Sequence, residues 1–340
     1  MDGGDGASDL LGTATPILQS DFVFQSLEGP YWVAGAADAG ADAGAGGYVI
    51  FSDVVEKNNP GCAIYKYDPG ANAFSVYPYP MEPISTNGLG MDSQGRLVAT
   101  ERFNHQITRV ENGARNALVA NGPSPDGGLL PLNAPNDLVI GKLGDIYFSD
   151  TKYGSSHPTS LLPTAAYRIA PSGAVSLVYS PGSDPALNSI NGVALSPDGT
   201  TLYLGDDTAN KLFSMPVNAD GSVVTVGADG GAVVTTLLTQ DSVPGGNFRI
   251  PDGVNVDDNG DIYVALNDYN VDAIARFDKT GKYKGKYSVP VPLDIGLDAS
   301  TQSGGKGPSN LTFGDADRKT LYITTLHALY KVRVDTPGLP

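Results

Sequence analysis

Glu28, Asn87, Asn136, Asn191, Asp252 and Asn310 recur along the chain at intervals of 59, 49, 55, 61 and 58 residues. Each stands just before a short apolar run, as in "TNGLGM" from Thr86, "PNDLVI" from Pro135, "INGVAL" from Ile190 and "PDGVNV" from Pro251. Asn and Asp ahead of glycine serve many β-proteins as turn residues, and for any one position that explanation suffices. Recurrence at one phase of a long repeat asks for more. Glu28, Asn136, Asn191 and Asp252 offer only oxygen donors, two carboxylates and two amides. Such hard donors suit Ca²⁺ or Mg²⁺ rather than a tetrahedral zinc site built from His and Cys.

Residues so far apart can converge only if the fold brings equivalent places together. The repeat supplies that fold. After each polar residue come a small apolar strand, a polar Gly or Asp turn, and a second strand rich in aromatic and β-branched residues. A third strand follows in several units, as in "HQITRVENG", "AYRIAPSG" and "AIARFDKTG". A less regular unit begins at "LEGPYW" and runs on to "CAIYKYDP". Six units of about 57 residues have the length of four-stranded propeller blades with generous loops. The expected fold is all-β, a six-bladed β-propeller with a central metal-containing tunnel. Its innermost strands bring the lead residues to one end of the channel. Residues 16–340 form the single domain, and "ATPILQSDFVFQS" supplies a strand to the last blade, closing the ring. Residues 1–15 read as a flexible lead. Residues 34–47, "AGAADAGADAGAGG", are too poor in apolar side chains to pack and read as a disordered low-complexity loop.

Composition agrees with many short strands. Gly 43 and Pro 25 are high, charged residues make up only 17%, and no long amphipathic helix can be traced. With 21 basic and 37 acidic residues the net charge is −16, a field that repels phosphate backbones and excludes nucleic acid as a partner. A single cysteine, Cys62, rules out an internal disulfide framework and multi-cysteine metal sites. No run approaches a membrane span. The opening "MDGGDGASD" lacks a basic n-region and an apolar h-region. The compartment is periplasmic or secreted if an export signal has been removed, and cytoplasmic otherwise. A monomer is expected.

Other chemistries find little support. The three histidines, His105, His157 and His327, show no metal-protease spacing, and there is no GxSxG. "DDNGD" from Asp257 lacks the spacing of a helix-flanked calcium loop and reads as a hairpin turn. His105, after a strand of the second unit, is a candidate substrate contact near the tunnel mouth. Glu101 and Arg102 at a strand end read first as a solvated rim. Asn87 and Asn310 complete the ring of lead residues.

"LEGPYW", "APNDL", "GDIYFSD", "INGVALSPDGTTLY", "IPDGVNVDDNGDIYVA" and "PSNLTFGDADRKTLYITT", in this order, resemble the gluconolactonase/regucalcin-like family. The resemblance spans nearly the whole chain after Phe22. It implies a six-bladed propeller with a divalent cation in the tunnel, Ca²⁺ by default, with Mg²⁺, Zn²⁺ or Mn²⁺ as substitutes. The implied ligands are Glu28, Asn191 and Asp252, with Asn136 ligating or sitting beside the metal. Asn87, Glu101, His105 and Asn136 are the implied substrate contacts. Departures are visible as well: Ala134 stands where family members carry a sugar-holding arginine, and Thr151 where many carry proline. In "TERFNHQITR" the histidine is displaced relative to the family pattern. The implied activity is hydrolysis of a small-molecule lactone, with the cation polarising the carbonyl and Asp252 accepting the proton of the attacking water. Two alternatives stand beside it, a phosphotriesterase resembling diisopropyl-fluorophosphatase and a non-catalytic calcium- or ligand-binding propeller.

Overall fold

The structure is a computed structural model. It describes residues 9–19, 21–35, 46–54, 63–80, 86–124, 127–151, 161–180, 189–225, 233–248, 251–268, 272–290 and 307–340. Most of the 34–47 insertion (residues 36–45), Cys62 and His157 lie outside these residues.

Six antiparallel sheets form the body. Their first strands are Leu27–Val33, Thr86–Met91, Ala134–Ile140, Ile190–Leu195, Pro251–Val256 and Pro308–Gly314. Each first strand packs beside the first strand of the next sheet, and Pro308–Gly314 returns to touch Leu27–Val33. The result is a closed six-bladed β-propeller with these strands around its axis.

The turn after each first strand follows from its sequence. At Gly95, Gly144, Gly199 and Gly260 the backbone takes φ of 71–90°, and each glycine N–H bonds back to the carbonyl three residues earlier. Glycine enters this left-handed region without steric cost. In the sixth blade Arg318 takes the same conformation at φ 54°, held by a paired ion contact with Asp258.

The core is divided by blade interface. Six clusters of buried apolar residues fill the six gaps between neighbouring sheets. Between the sixth and first blades, Trp32 lies parallel to Tyr322 with ring centroids 6.0 Å apart. Flat sheets packed face to face in this way bury apolar surface in every gap, so no single blade has a core of its own.

Thr15–Ile17 pairs antiparallel with Leu329–Arg333 on the outside of the sixth blade. The chain then runs directly into the first blade, tying the two together. Leu10–Thr13, placed by sequence in a flexible lead, instead forms a fifth strand on the fifth blade, parallel to Tyr283–Ser288. Its leucines are exposed, so backbone pairing rather than an apolar pattern holds it, and the sequence carries no sign of it. No helix among the described residues is long and apolar enough to cross a membrane.

Candidate metal and active site

Every first strand contains one extra residue close to its start. The irregularities fall between Glu28 and Tyr31, Thr86 and Leu89, Pro135 and Leu138, Ile190 and Val193, Pro251 and Val254, and Pro308 and Asn310. A bulge at this place re-aims a side chain out of the sheet's own alternation. Aligned on this register, Glu28, Asn87, Asn136, Asn191 and Asp252 are equivalent, and the sixth member is Ser309. Asn310 is therefore not the sixth lead residue. It lies one place further on, level with Asp137 and with Gly29, Gly88, Gly192 and Gly253.

Those glycines answer to the neighbouring strand. A Cβ on Gly88 would come within 2.8 Å of the Asn136 carbonyl oxygen, and one on Gly192 would overlap the carbonyl of Asp252. The glycine after each lead residue thus lets the innermost strands close up around the axis. Two blades carry a side chain there instead. Asp137 accepts the N–H of Leu138 at 2.9 Å and that of Val193, on the next blade, at 3.2 Å. The Asn310 side chain lies close enough to the carboxyls of Glu28 and Asp137 to oppose the rise in pKa of both.

The site is crowded with carboxyls. Burial pushes Glu28 well above the usual carboxylate range, and Asp252 and Asp137 push it further. Asp252 is raised mainly by burial and also by Asp207 and Asp137, against the opposing bonds of Asn267 and Asn191. Burial likewise lifts Asp137 and Asp207 each to about 6. The Asn267 amide donates to Asp252 Oδ2 at 3.0 Å, and Asn191 Nδ2 lies 3.5 Å from Asp207 Oδ2. These contacts fix the orientation of Asp252 and Asn191. The opposite oxygen of Asp252, Oδ1, is buried without a hydrogen-bond partner, as are Asn87 Oδ1 and Asn267 Oδ1.

Orphaned acceptor oxygens beside mutually repelling carboxyls are the donor set that a hard cation satisfies. Among the described residues no three Asp, Glu, His or Cys side chains gather as a metal cluster. A cation here would therefore draw on amides as well as carboxylates, which the composition of Glu28, Asn136, Asn191 and Asp252 allows. Asn136 is buried at the equivalent place in the third blade.

The remaining candidates separate. Both Glu101 oxygens are consumed locally: Tyr79, on the connection leading into its blade, and Thr108, Asn104, Gln106 and Arg115 within it all bond to a carboxylate with no exposed surface. Its charge is neither a solvated rim nor offered to a ligand. His105 is half-buried at φ 55°, with Nδ1 bonded to the Asn133 carbonyl of the third blade. His327 Nδ1 bonds the Phe24 carbonyl at 3.1 Å, a link between the last blade and the first. Thr151 bridges to Ser189 at 2.6 Å, and Ala134 gives its N–H to Asp150 at 2.8 Å. Sequence reasoning passed over Asp137, Asp207 and Asn267. Asp137 sits directly after the singled-out Asn136 in "PND", and no local pattern marks Asp207 or Asn267.

Comparison with known proteins agrees with the six-bladed fold. The SMP-30/Gluconolactonase/LRE-like region family matches residues 28–327, and the chain belongs to that family. It is 25% identical over 346 aligned residues to a gluconolactonase of Zymomonas mobilis, covering 97% of this chain and 84% of the relative. Among solved structures it is similar to a gluconolactonase from Xanthomonas campestris, with TM-score 0.65 and 23% identity over 98% of this chain and 92% of the other. It is likewise similar to the calcium-binding protein regucalcin from Agrobacterium tumefaciens, with TM-score 0.66 and 15% identity over 96% and 95% of the two chains.

Proposed function

We propose that the protein is a metal-dependent lactonase whose cation is held by Glu28, Asn136, Asn191 and Asp252, with Ca²⁺ the default ion. The observation that carries this reading is the buried, partnerless Oδ1 of Asp252 next to the crowded Glu28. Family membership and the likeness to gluconolactonases support a lactone as the substrate class. The calcium-binding relative supports the choice of ion.

A bound divalent cation supplies Lewis acidity, polarising the lactone carbonyl and stabilising the charge that develops on its oxygen. Asn267 holds Oδ2 of Asp252 and so fixes the carboxylate that would take the proton of the attacking water. Water adds to the carbonyl carbon, the ring C–O bond breaks, and the released alkoxide regains a proton to give the hydroxy acid. Asp207 steadies the amide of Asn191 so that its oxygen stays turned to the site. Asn87, with its buried free Oδ1, and His105 and Asn136 are assigned to substrate contact.

The test is a panel of sugar lactones, aliphatic lactones and fluorophosphates, assayed with chelator and after calcium is restored. Lactone turnover that disappears on chelation and returns with Ca²⁺ is expected. Turnover confined to fluorophosphates would assign the site to phosphotriester chemistry. Metal bound with no lactone turned over would leave a binding propeller, and turnover indifferent to full metal removal would exclude the proposed ligand set.

A further inference from the structure

The Asp137 and Asn310 side chains, from opposite blades, project where other blades carry glycine and divide the tunnel across its width. On the turn side of this partition lies a second chamber of about 220 Å³. Its walls are apolar and come from successive innermost strands, among them Leu89, Leu138, Val193, Leu195, Val254 and Leu311. All six are at least nine-tenths buried. An apolar cavity of about 150 Å³ suffices for benzene, so this chamber has room for a larger apolar group.

Polar groups at the two ends decide what that group must carry. At the partition nothing is left to offer. Asp137 already accepts from Leu138 and Val193, Asn310 Oδ1 accepts from Leu311 at 2.8 Å, and the Asn310 side chain lies close to Glu28 and Asp137. Around the mouth, Ser196 Oγ lies 2.6 Å from Asp198 and accepts the N–H of Thr201. Asn255 uses its oxygen on Val256 and its amide on Leu311. Lys142 differs. Its exposed ammonium donates to the Pro197 carbonyl at 2.7 Å, and an ammonium has three N–H donors. The chamber therefore presents an apolar interior, an inner end whose polar groups are already engaged, and a cation at the rim.

We propose that the turn-side chamber binds an unbranched aliphatic monocarboxylate of medium length, tail inward, with its carboxylate on Lys142. The site is separate from the proposed catalytic end and does not depend on the lactonase reading. It also shares its partition with that end, because Asn310 touches Glu28 on the far side.

Calorimetric titration of the full-length, calcium-loaded protein with octanoate, octanol and butyrate tests this. Octanoate should bind one to one, and butyrate more than about tenfold more weakly, because it buries four fewer methylenes. Lys142→Met should weaken octanoate about fivefold, the size of an exposed ion pair, and leave octanol unchanged. Leu195→Phe should fill the chamber and weaken both ligands. If that protein does not melt cooperatively, Val193→Ile makes the same test with one methylene. Absence of octanoate binding at millimolar concentration would overturn the proposal. So would binding indifferent to both filling variants, or an equal loss of octanol in Lys142→Met.

Discussion

Asp252 has two proposed tasks, ligand and proton acceptor, and one substitution separates them. Asp252→Asn keeps an oxygen donor and nearly the same volume but removes the charge and the basic oxygen. Calcium affinity measured by calorimetry should weaken, while the hydrolysis rate at saturating calcium falls by ~10²–10⁴-fold, the usual scale of a lost general base. A metal-saturated variant working at the parental rate would leave Asp252 as a ligand only. Asn191→Asp makes the reverse charge change and should hold calcium at least as tightly. A second carboxylate, Asp150, allows a pH prediction away from the ion. It is buried among the N–H groups of Asn133 and Ala134, and burial lifts its pKa to about 8. An unfolded Asp titrates near 3.9. Between these values the folded chain holds a proton that the unfolded chain has released, so this group's contribution to stability falls as pH rises through about 4 to 8. The slope from one such group is at most about 1.4 kcal/mol per pH unit. In calcium-loaded protein, Asp150→Asn should flatten the decline of melting temperature across that window, and an unchanged slope would refute the assignment. Glu28, Asn136, Asn191 and Asp252 were legible in the sequence because each heads a repeated motif. Asp137, Asp207 and Asn267 were not, and Asn310 was placed one position out of phase, because these places depend on bulge register and on contacts made across the ring. Glu101 looked like a strand-end charge, and only its five partners reveal a buried network.

The strand carrying a lead residue is as specific as the residue itself. Asn-Gly and Asp-Gly first suggest turns, yet in the structure they lie at bulges in the innermost strands, and the glycine is there for the neighbour's backbone. Gly192→Ala makes this testable, since it introduces only steric overlap with the neighbouring strand, at the Asp252 carbonyl and at Val254. The fourth and fifth blades must part locally. Overpacking of this kind typically costs about 1–3 kcal/mol. Calcium affinity should fall with it, because Asn191 and Asp252 flank the point of contact. An alanine variant as stable and as tight for calcium as the parent would show that the strands have slack. The hairpins were readable from their Gly and Asp turns, down to the phase of each blade. The extra strand Leu10–Thr13 was not, because it joins an edge through backbone bonds and buries little of its own.

At the scale of the whole ring, stability and site are one problem. Glu28, Asn136, Asn191 and Asp252 come from the first, third, fourth and fifth blades, so their spacing is only as fixed as the closure of the propeller. That closure passes through Thr15–Ile17, which completes the sixth blade before the chain enters the first, and buries Ala14 and Ile17. Leu10–Thr13, by contrast, lies exposed on the fifth blade. Two truncations distinguish these roles. Removing residues 1–13 should lower the melting temperature only slightly and leave calcium affinity intact. Removing residues 1–17 also bares the edge of Leu329–Arg333 and deletes the buried Ala14 and Ile17, a loss of at least about 2 kcal/mol. For a chain of this size that is a drop of roughly 3 °C or more. Because the ring is then held only by packing and by the His327–Phe24 and Ser309–Leu27 hydrogen bonds between its last and first blades, calcium affinity should fall in the longer truncation alone. Equal calcium binding by both truncated proteins would mean that the ligands are held locally, blade by blade, and that ring closure serves stability without setting the geometry of the site.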